Sequence, residues 1–299
     1  MLTLGNHAEA EISPQRDFPL KGASATYFAI KRKRRSRRPR KFGSDMESRA
    51  SLWLAALALA TSGFASIAPA GAADRPLGVI ELFTSQGCNS CPPADELFAE
   101  FVAKGEVVAL AYHVTYWDYL GWQDSLASKE NTDRQYGYMR GFGARAVYTP
   151  QAVVNGRTHM SGAKRDQITS SLDNLNRTGQ GLNVDIHVTE SADAISIDVG
   201  PGDGQHVNAH LVLVFFRGPQ VVDLERGENR GKRVTYWNSV TDVQTAGLWH
   251  GEKQRFDLPK SEVEKKGGAA VLLQVVGKDG LPGPILGAAI VRNPPGGAQ

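Results

Sequence analysis

Gly78-Val79-Ile80-Glu81-Leu82-Phe83-Thr84-Ser85-Gln86-Gly87-Cys88-Asn89-Ser90-Cys91-Pro92-Pro93-Ala94-Asp95 joins an apolar strand pattern to a helix start, and the chain's only two cysteines sit at the join. The helix that follows puts Leu97, Phe98, Phe101 and Val102 on one face, with acids in its first turn and Gly105 after Lys104 as a stop. Val107 to Val114 then reads as a second buried strand, so the segment predicts a βαβ unit with a parallel strand pair.

The dithiol's place gives it chemistry. With Ser90 as the expected helix cap, Cys91, Pro92 and Pro93 fall in the first turn, where missing proline N–H groups cost little. Cys88 then lies at the exposed positive end of the helix, where a thiolate is stabilised. On this reading Cys88 attacks a disulfide and Cys91 resolves the mixed disulfide. Asp95 and Glu96 oppose a strong acidification of the thiol. The alternative is an inert structural disulfide, although a three-residue spacing removes little chain entropy and makes a poor staple. Two thiolates are too few for an ordinary zinc site.

Beyond the unit, helices are expected near Thr132 to Arg140 and Ala163 to Leu175, and a short strand through Thr149-Pro150-Gln151-Ala152-Val153-Val154. After Asn176 the pattern changes to short strand candidates at Leu182–Val188, Ile195–Val199, Leu211–Phe216, Arg233–Trp237, Val271–Val276 and Ile285–Val291. The expected architecture is an α/β domain over 74–180 and an all-β, sandwich-like C-terminal domain over 181–299.

Charge is unevenly spread. Residues 1–45 hold eleven Lys or Arg against four Asp or Glu, while residues 74–299 hold 22 against 26, so the basic balance belongs to the leader and argues for no nucleic-acid partner. Residues 1–45 read as a basic, disordered leader or an over-extended start, with Met46 the alternative first residue. Residues 46–73 read as a signal peptide: Arg49, an apolar run from Leu52 to Ala60, and Ala70-Gly71-Ala72 as the cleavage pattern. The mature protein is therefore expected to be exported, periplasmic or secreted, without a stable membrane span, in a compartment where a disulfide persists.

The βαβ unit with Cys88 and Cys91 at its turn, followed by Thr149-Pro150 before a strand, resembles the thioredoxin superfamily. More closely, the chain is similar to exported thioredoxin-like proteins known as domain of unknown function 1223. That resemblance rests on Glu81 to Cys88, Cys91-Pro92-Pro93-Ala94-Asp95, Tyr116-Trp117-Asp118-Tyr119-Leu120-Gly121-Trp122, Tyr148-Thr149-Pro150-Gln151 and Gly227-Glu228-Asn229-Arg230-Gly231. Thr115 departs from the pattern, which usually has an acid there. The resemblance implies a thioredoxin-like domain and a cis Thr149–Pro150 bond facing the dithiol, with the backbone of Thr149 offered to a substrate. It also suggests Glu81 as a buried acid moving protons in exchange, the alternative being an ion-paired Glu. No cofactor is called for beyond the redox-active disulfide Cys88–Cys91.

Tyr116, Trp117 and Trp122 follow the second strand and are candidates to wall a substrate groove over the dithiol, or to pack a loop. The function expected is thiol–disulfide exchange on an envelope protein or small thiol. The alternatives are copper binding or delivery through Cys88, Cys91 and His113, or a non-catalytic interaction module. Arg226 to Arg233 is basic and Gly-rich; it lacks a P-loop ending and reads as a hairpin turn rather than an anion site.

Overall fold

In the computed structural model, residues 75–203 and 208–296 are described. The expected leader (1–45) and signal peptide (46–73) lie outside them. The expected βαβ unit is present: β1 (Val79–Thr84), α1 (Pro92–Lys104) and β2 (Val108–His113), with β1 and β2 parallel and Phe83 beside Tyr112. Every residue of both strands is buried, which is why they read as unbroken apolar runs.

Next come α2 (Lys129–Gly141), β3 (Gln151–Val154), β4 (Thr158–Ser161) and α3 (Arg165–Arg177). Ser128 caps α2 by accepting from the Asn131 amide. The strands β5 (Ile186–Glu190), β6 (Ala194–Val199), β7 (Ala209–Arg217), β8 (Gln220–Asp223), β9 (Arg233–Tyr236), β10 (Ser239–Trp249) and β11 (Gln254–Pro259) follow. The helix α4 (Lys260–Lys266), β12 (Gly268–Val276) and β13 (Pro282–Arg292) complete the order. The all-β expectation for this half is corrected by α4, whose Val263 is buried against the β7 and β12 side chains.

An eight-stranded sheet runs β13-β12-β7-β10-β2-β1-β3-β4. The join between the two halves is Ser239 of β10, paired in parallel with Ala111 of β2. The boundary expected near residue 180 falls in the connection between α3 and β5, but the eight-stranded sheet takes strands from both sides of it. One face of the sheet carries a single core drawn from both halves: Phe83, Leu110 and Tyr112 with Val214, Phe216 and Leu272, covered by Tyr138 of α2. The other face carries two cores side by side. Ile80 and Leu82 meet Phe98 and Phe101 of α1 and Ile168 and Leu172 of α3. Leu211, Leu213, Val271 and Leu273 meet Ile195 and Ile197 of a three-stranded sheet, β11-β6-β5. The alternation along β7 and β12, one residue to each core, is the period-two rule of a strand buried on both sides.

The strand β10 was not expected from the sequence. Its register shifts between Val240 and Asp242 and again between Thr245 and Gly247, so two bulges break the alternation that would have marked it.

Candidate functional site

β1 delivers Thr84 to the sheet's end, and the chain turns through Ser85-Gln86-Gly87 into the cysteines. The turn is closed by the Cys88 amide donating to the Ser85 carbonyl and the Cys91 amide donating to the Cys88 carbonyl, each at 3.2 Å. Cys88 and Cys91 are disulfide-bonded, with Cα atoms 5.4 Å apart. The helix cap is Cys91 itself, with φ −77° and ψ −37°, and prolines fill the first two helical positions. Ser90 is therefore not the cap expected from the sequence. Its Oγ lies 3.4 Å from Cys88 Sγ and donates toward the Thr149 carbonyl at 3.5 Å.

Neither cysteine is exposed, which corrects the expected open position for Cys88. Three segments cover the turn. Trp117 presses on Gly87 so closely that a β-carbon there would come within 3.1 Å of Trp117 Cβ. The Trp117 indole N–H donates to Thr149 Oγ1 at 2.7 Å, and the Thr149–Pro150 bond is cis. The Trp122 indole donates to Gln86 Oε1 at 2.8 Å. From the β8–β9 connection, Asn229 Nδ2 donates to the carbonyls of Gln86 (3.0 Å) and Cys88 (2.8 Å). Trp117, Trp122 and Thr149 thus gather at the dithiol turn, and Tyr116 packs with Trp117 against the core shared with α2.

Glu81 does not reach the cysteines. It shares the α2 face of β1 with Val79 and Phe83, fully buried, and accepts from Arg134 Nε at 2.7 Å and from the Tyr138 hydroxyl. Arg134 also donates to Gln274 Oε1 at 3.0 Å, so Glu81 is locked in a network that ties α2 to β1 and β12. The ion-paired alternative is the one the geometry contains; the proton-relay expectation for Glu81 is corrected, because α1 lies on the opposite face.

The acid on the dithiol side is Asp95, one helical turn after Cys91. Its amide donates to the Cys91 carbonyl at 3.1 Å, and its Oδ1 accepts from Thr84 Oγ1 at 2.8 Å. Its Oδ2 is buried without a partner. Burial raises the Asp95 carboxyl to about 7, against the lowering pull of the His113 charge and the Thr84 hydrogen bond.

His113 ends β2 with its Nδ1 2.8 Å from Asp124 Oδ2, both side chains fully buried. Burial disfavours the imidazolium, but the Asp124 carboxylate and its hydrogen bond prevail and hold His113 above the ordinary histidine range. Asp124 resists its own burial through the His113 charge and the amides of Gln86 and Leu126, and stays below the usual carboxylate range. The charged pair therefore also fixes the turn, through the Gln86 amide. His113 Nε2 is buried without a partner. His113 does not converge with the cysteines as a copper set: among the described residues no group of three or more His, Cys, Asp or Glu side chains is arranged to hold a metal.

A buried dithiol turn, clamped from one side by Trp117 and Trp122 and from the other by Asn229, lies wholly within the segment matched by one family model, residues 79–274. The chain belongs to the family described as protein of unknown function DUF1223. The chain is similar to an Agrobacterium tumefaciens protein solved by X-ray crystallography, at 51% identity and a TM-score of 0.67, covering 73% of this chain and 94% of that one. A β-glucosidase of Kluyveromyces marxianus matches at 18% identity over 37% of this chain and 14% of its own, with a TM-score of 0.16, too low to indicate a common fold. No curated protein matches. The DUF1223 segment takes in Asp95, His113, Asp124, the cis Thr149–Pro150 bond and Asn229 together with both cysteines. Of these, Asp124 carries no motif in the sequence, while Asp95 was legible as four residues beyond Cys91 on one helix.

Proposed function

We propose that this chain is an exported thiol–disulfide oxidoreductase with a thioredoxin-like site, acting on an envelope protein or small thiol. The observation that carries the reading is Asp95, a buried carboxyl with one unpartnered oxygen, on the same helical face as Cys91 and one turn away. A disulfide serving only as a staple has no use for a titratable acid at that depth, and burying one is costly.

In the reducing direction the Cys88 thiolate attacks one sulfur of a substrate disulfide. An S–S bond forms to Cys88 and the other substrate half leaves as a thiolate. Asp95 takes the proton from the Cys91 thiol, and the Cys91 thiolate attacks Cys88 Sγ. The second substrate half departs as a thiolate, and the Cys88–Cys91 disulfide is left. Two electrons pass from the dithiol to the substrate, and an external dithiol reductant restores the enzyme. With a dithiol substrate the same steps run in reverse. The cis Thr149–Pro150 segment, held beside the turn by Trp117 and Ser90, supports docking of a substrate backbone there.

The test is a Cys91→Ser variant, reduced and then offered disulfide-bearing envelope proteins. Mixed disulfides through Cys88 are expected to accumulate and to be released by dithiothreitol. Complete absence of adducts, with Cys88 shown to be a free thiol, would remove the oxidoreductase reading.

A further inference from the structure

The connection between β8 and β9 reaches the dithiol from a two-stranded sheet of its own. Among the described residues, β8 and β9 pair as strands only with each other, Gln220 with Tyr236 through Asp223 with Arg233. A two-stranded ribbon of this length is marginal without support. Its support comes from β9 lying against α1, from Asn238 bonded to the backbone of β2, and from two side chains. Tyr236 sets its ring edge-on to His113 at 4.8 Å, and Leu224 is buried. At the tip, Arg226, Glu228 and Arg230 are exposed while Asn229 between them is 1% exposed.

That one inserted side chain makes every tip contact with the dithiol turn that has hydrogen-bond geometry. Its two amide hydrogens go to the carbonyls of Gln86 and Cys88, and Lys232 Nζ donates to its Oδ1 at 2.8 Å, fixing which way the amide faces. Gly227 bends the tip with φ +75°, and a β-carbon there would come within 3.0 Å of Trp122 Cβ, so the approach to the turn is a close one. The ribbon is flanked by Gly218-Pro219 at one end and by Trp237-Asn238 at the other, with Asn238 in the left-handed region at φ 46°.

We propose that the β8–β9 ribbon is a gate over the dithiol, with Asn229 as its latch and Lys232 as the residue that sets the latch. Closed, the gate is one of the three segments that leave the cysteines no exposure, and its opening breaks the two bonds from Asn229. Asn229 touches no reacting atom and is a positioning residue. The gate's use in catalysis rests on the oxidoreductase reading above, but its existence does not.

The experiment is the rate at which dithiothreitol reduces the Cys88–Cys91 disulfide in the folded, oxidised protein. In that reaction the dithiothreitol thiolate attacks one cysteine sulfur and the other leaves as a thiolate; the mixed disulfide then resolves to cyclic oxidised dithiothreitol and two cysteine thiols. Asn229→Ala is expected to raise the rate constant about tenfold, the worth of two ordinary hydrogen bonds held across the opening step. Lys232→Met, at an exposed position, is expected to give a smaller rise and serves if Asn229→Ala does not fold. Amide hydrogen exchange should quicken in 220–236 and not in β1 or β7, which general destabilisation would not produce. Rates within twofold of the parent in both variants would overturn the gate. Because dithiothreitol needs no biological substrate, a failed Cys91→Ser trap with accelerated reduction would retire the oxidoreductase reading and leave the gate standing.

Discussion

His113 Nδ1 and Asp124 Oδ2 stand 2.8 Å apart with neither side chain exposed, and the same Asp124 oxygen accepts the Gln86 amide at the dithiol turn. A charged pair at the end of β2 is thereby part of the device that holds the cysteines. Removing one member leaves the other charged and uncompensated. His113→Ala is expected to cost about 3–5 kcal/mol of unfolding free energy. Denaturant titration of the oxidised protein measures it, and a loss under about 1 kcal/mol would mean the pair is not ionised. The pair's contribution has a window. Asp124, depressed in the fold, gives stability present above its unfolded pKa and lost on acidification through its folded one. His113, raised in the fold, gives stability present below its unfolded pKa and lost as pH rises through its folded one.

Asp95 acts in the opposite sense to a paired carboxylate. With its folded pKa raised to about 7, the native state holds a proton that the unfolded chain has already released. Stability therefore falls as pH rises from about 4 to about 7. Asp95→Asn keeps an acceptor for Thr84 and removes the titration. Above pH 7 that variant is expected to be the more stable by a few kcal/mol, on the order of 4, and the difference should vanish near pH 4. Thermal melts across that range decide it.

The same substitution reports on the chemistry. Resolution of a mixed disulfide on Cys88 should quicken with pH through about 7 in the parent, as Asp95 becomes able to accept the Cys91 proton. In Asp95→Asn the step should slow about a hundredfold at neutral pH and lose that dependence. Stopped-flow decay of the mixed disulfide is the measurement; an unchanged profile would take Asp95 out of the reaction.

Glu81→Gln separates stability from exchange. Arg134 would keep its charge and lose the carboxylate, costing about 3 kcal/mol, while the pH profile of exchange should match the parent. A shifted profile would restore Glu81 as a proton carrier.

A fragment ending at residue 180 tests whether the two halves fold apart. It keeps Phe83, Leu110 and Tyr112 but loses Val214, Phe216 and Leu272, which share their core, and loses β10 from the edge of β2. It is expected to bind a hydrophobic dye and to show no cooperative melt, whereas an independent domain would melt sharply.

Much of the site is legible in the sequence. The strand–turn–helix around Cys88 and Cys91 announced itself by a change of period at the cysteines, and the parallel β1–β2 pair followed from it. Thr149-Pro150 was legible as the segment entering β3. Glu81 misled because position along a strand says how far a residue lies from the turn but not which face it takes; the face was set by Arg134, more than fifty residues later. Asn229 sits in a hairpin turn whose pattern is local, but the turn's reach to Cys88 spans 141 residues of chain and leaves no local trace. The strand β10 was hidden by its bulges.

The dithiol, the elements on either side of it and the family can be read from residues alone, because periodicity, proline placement and motif spacing are local properties of the chain. Which acid lies beside the cysteines, what covers them, and the joining of strands from both halves in one sheet are set by contacts between distant segments. Those outcomes depend on which side chains are driven out of water together. Burial turned Asp95 into an acid titrating near neutrality, tied Glu81 to Arg134 and brought Asn229 onto the carbonyl of Cys88.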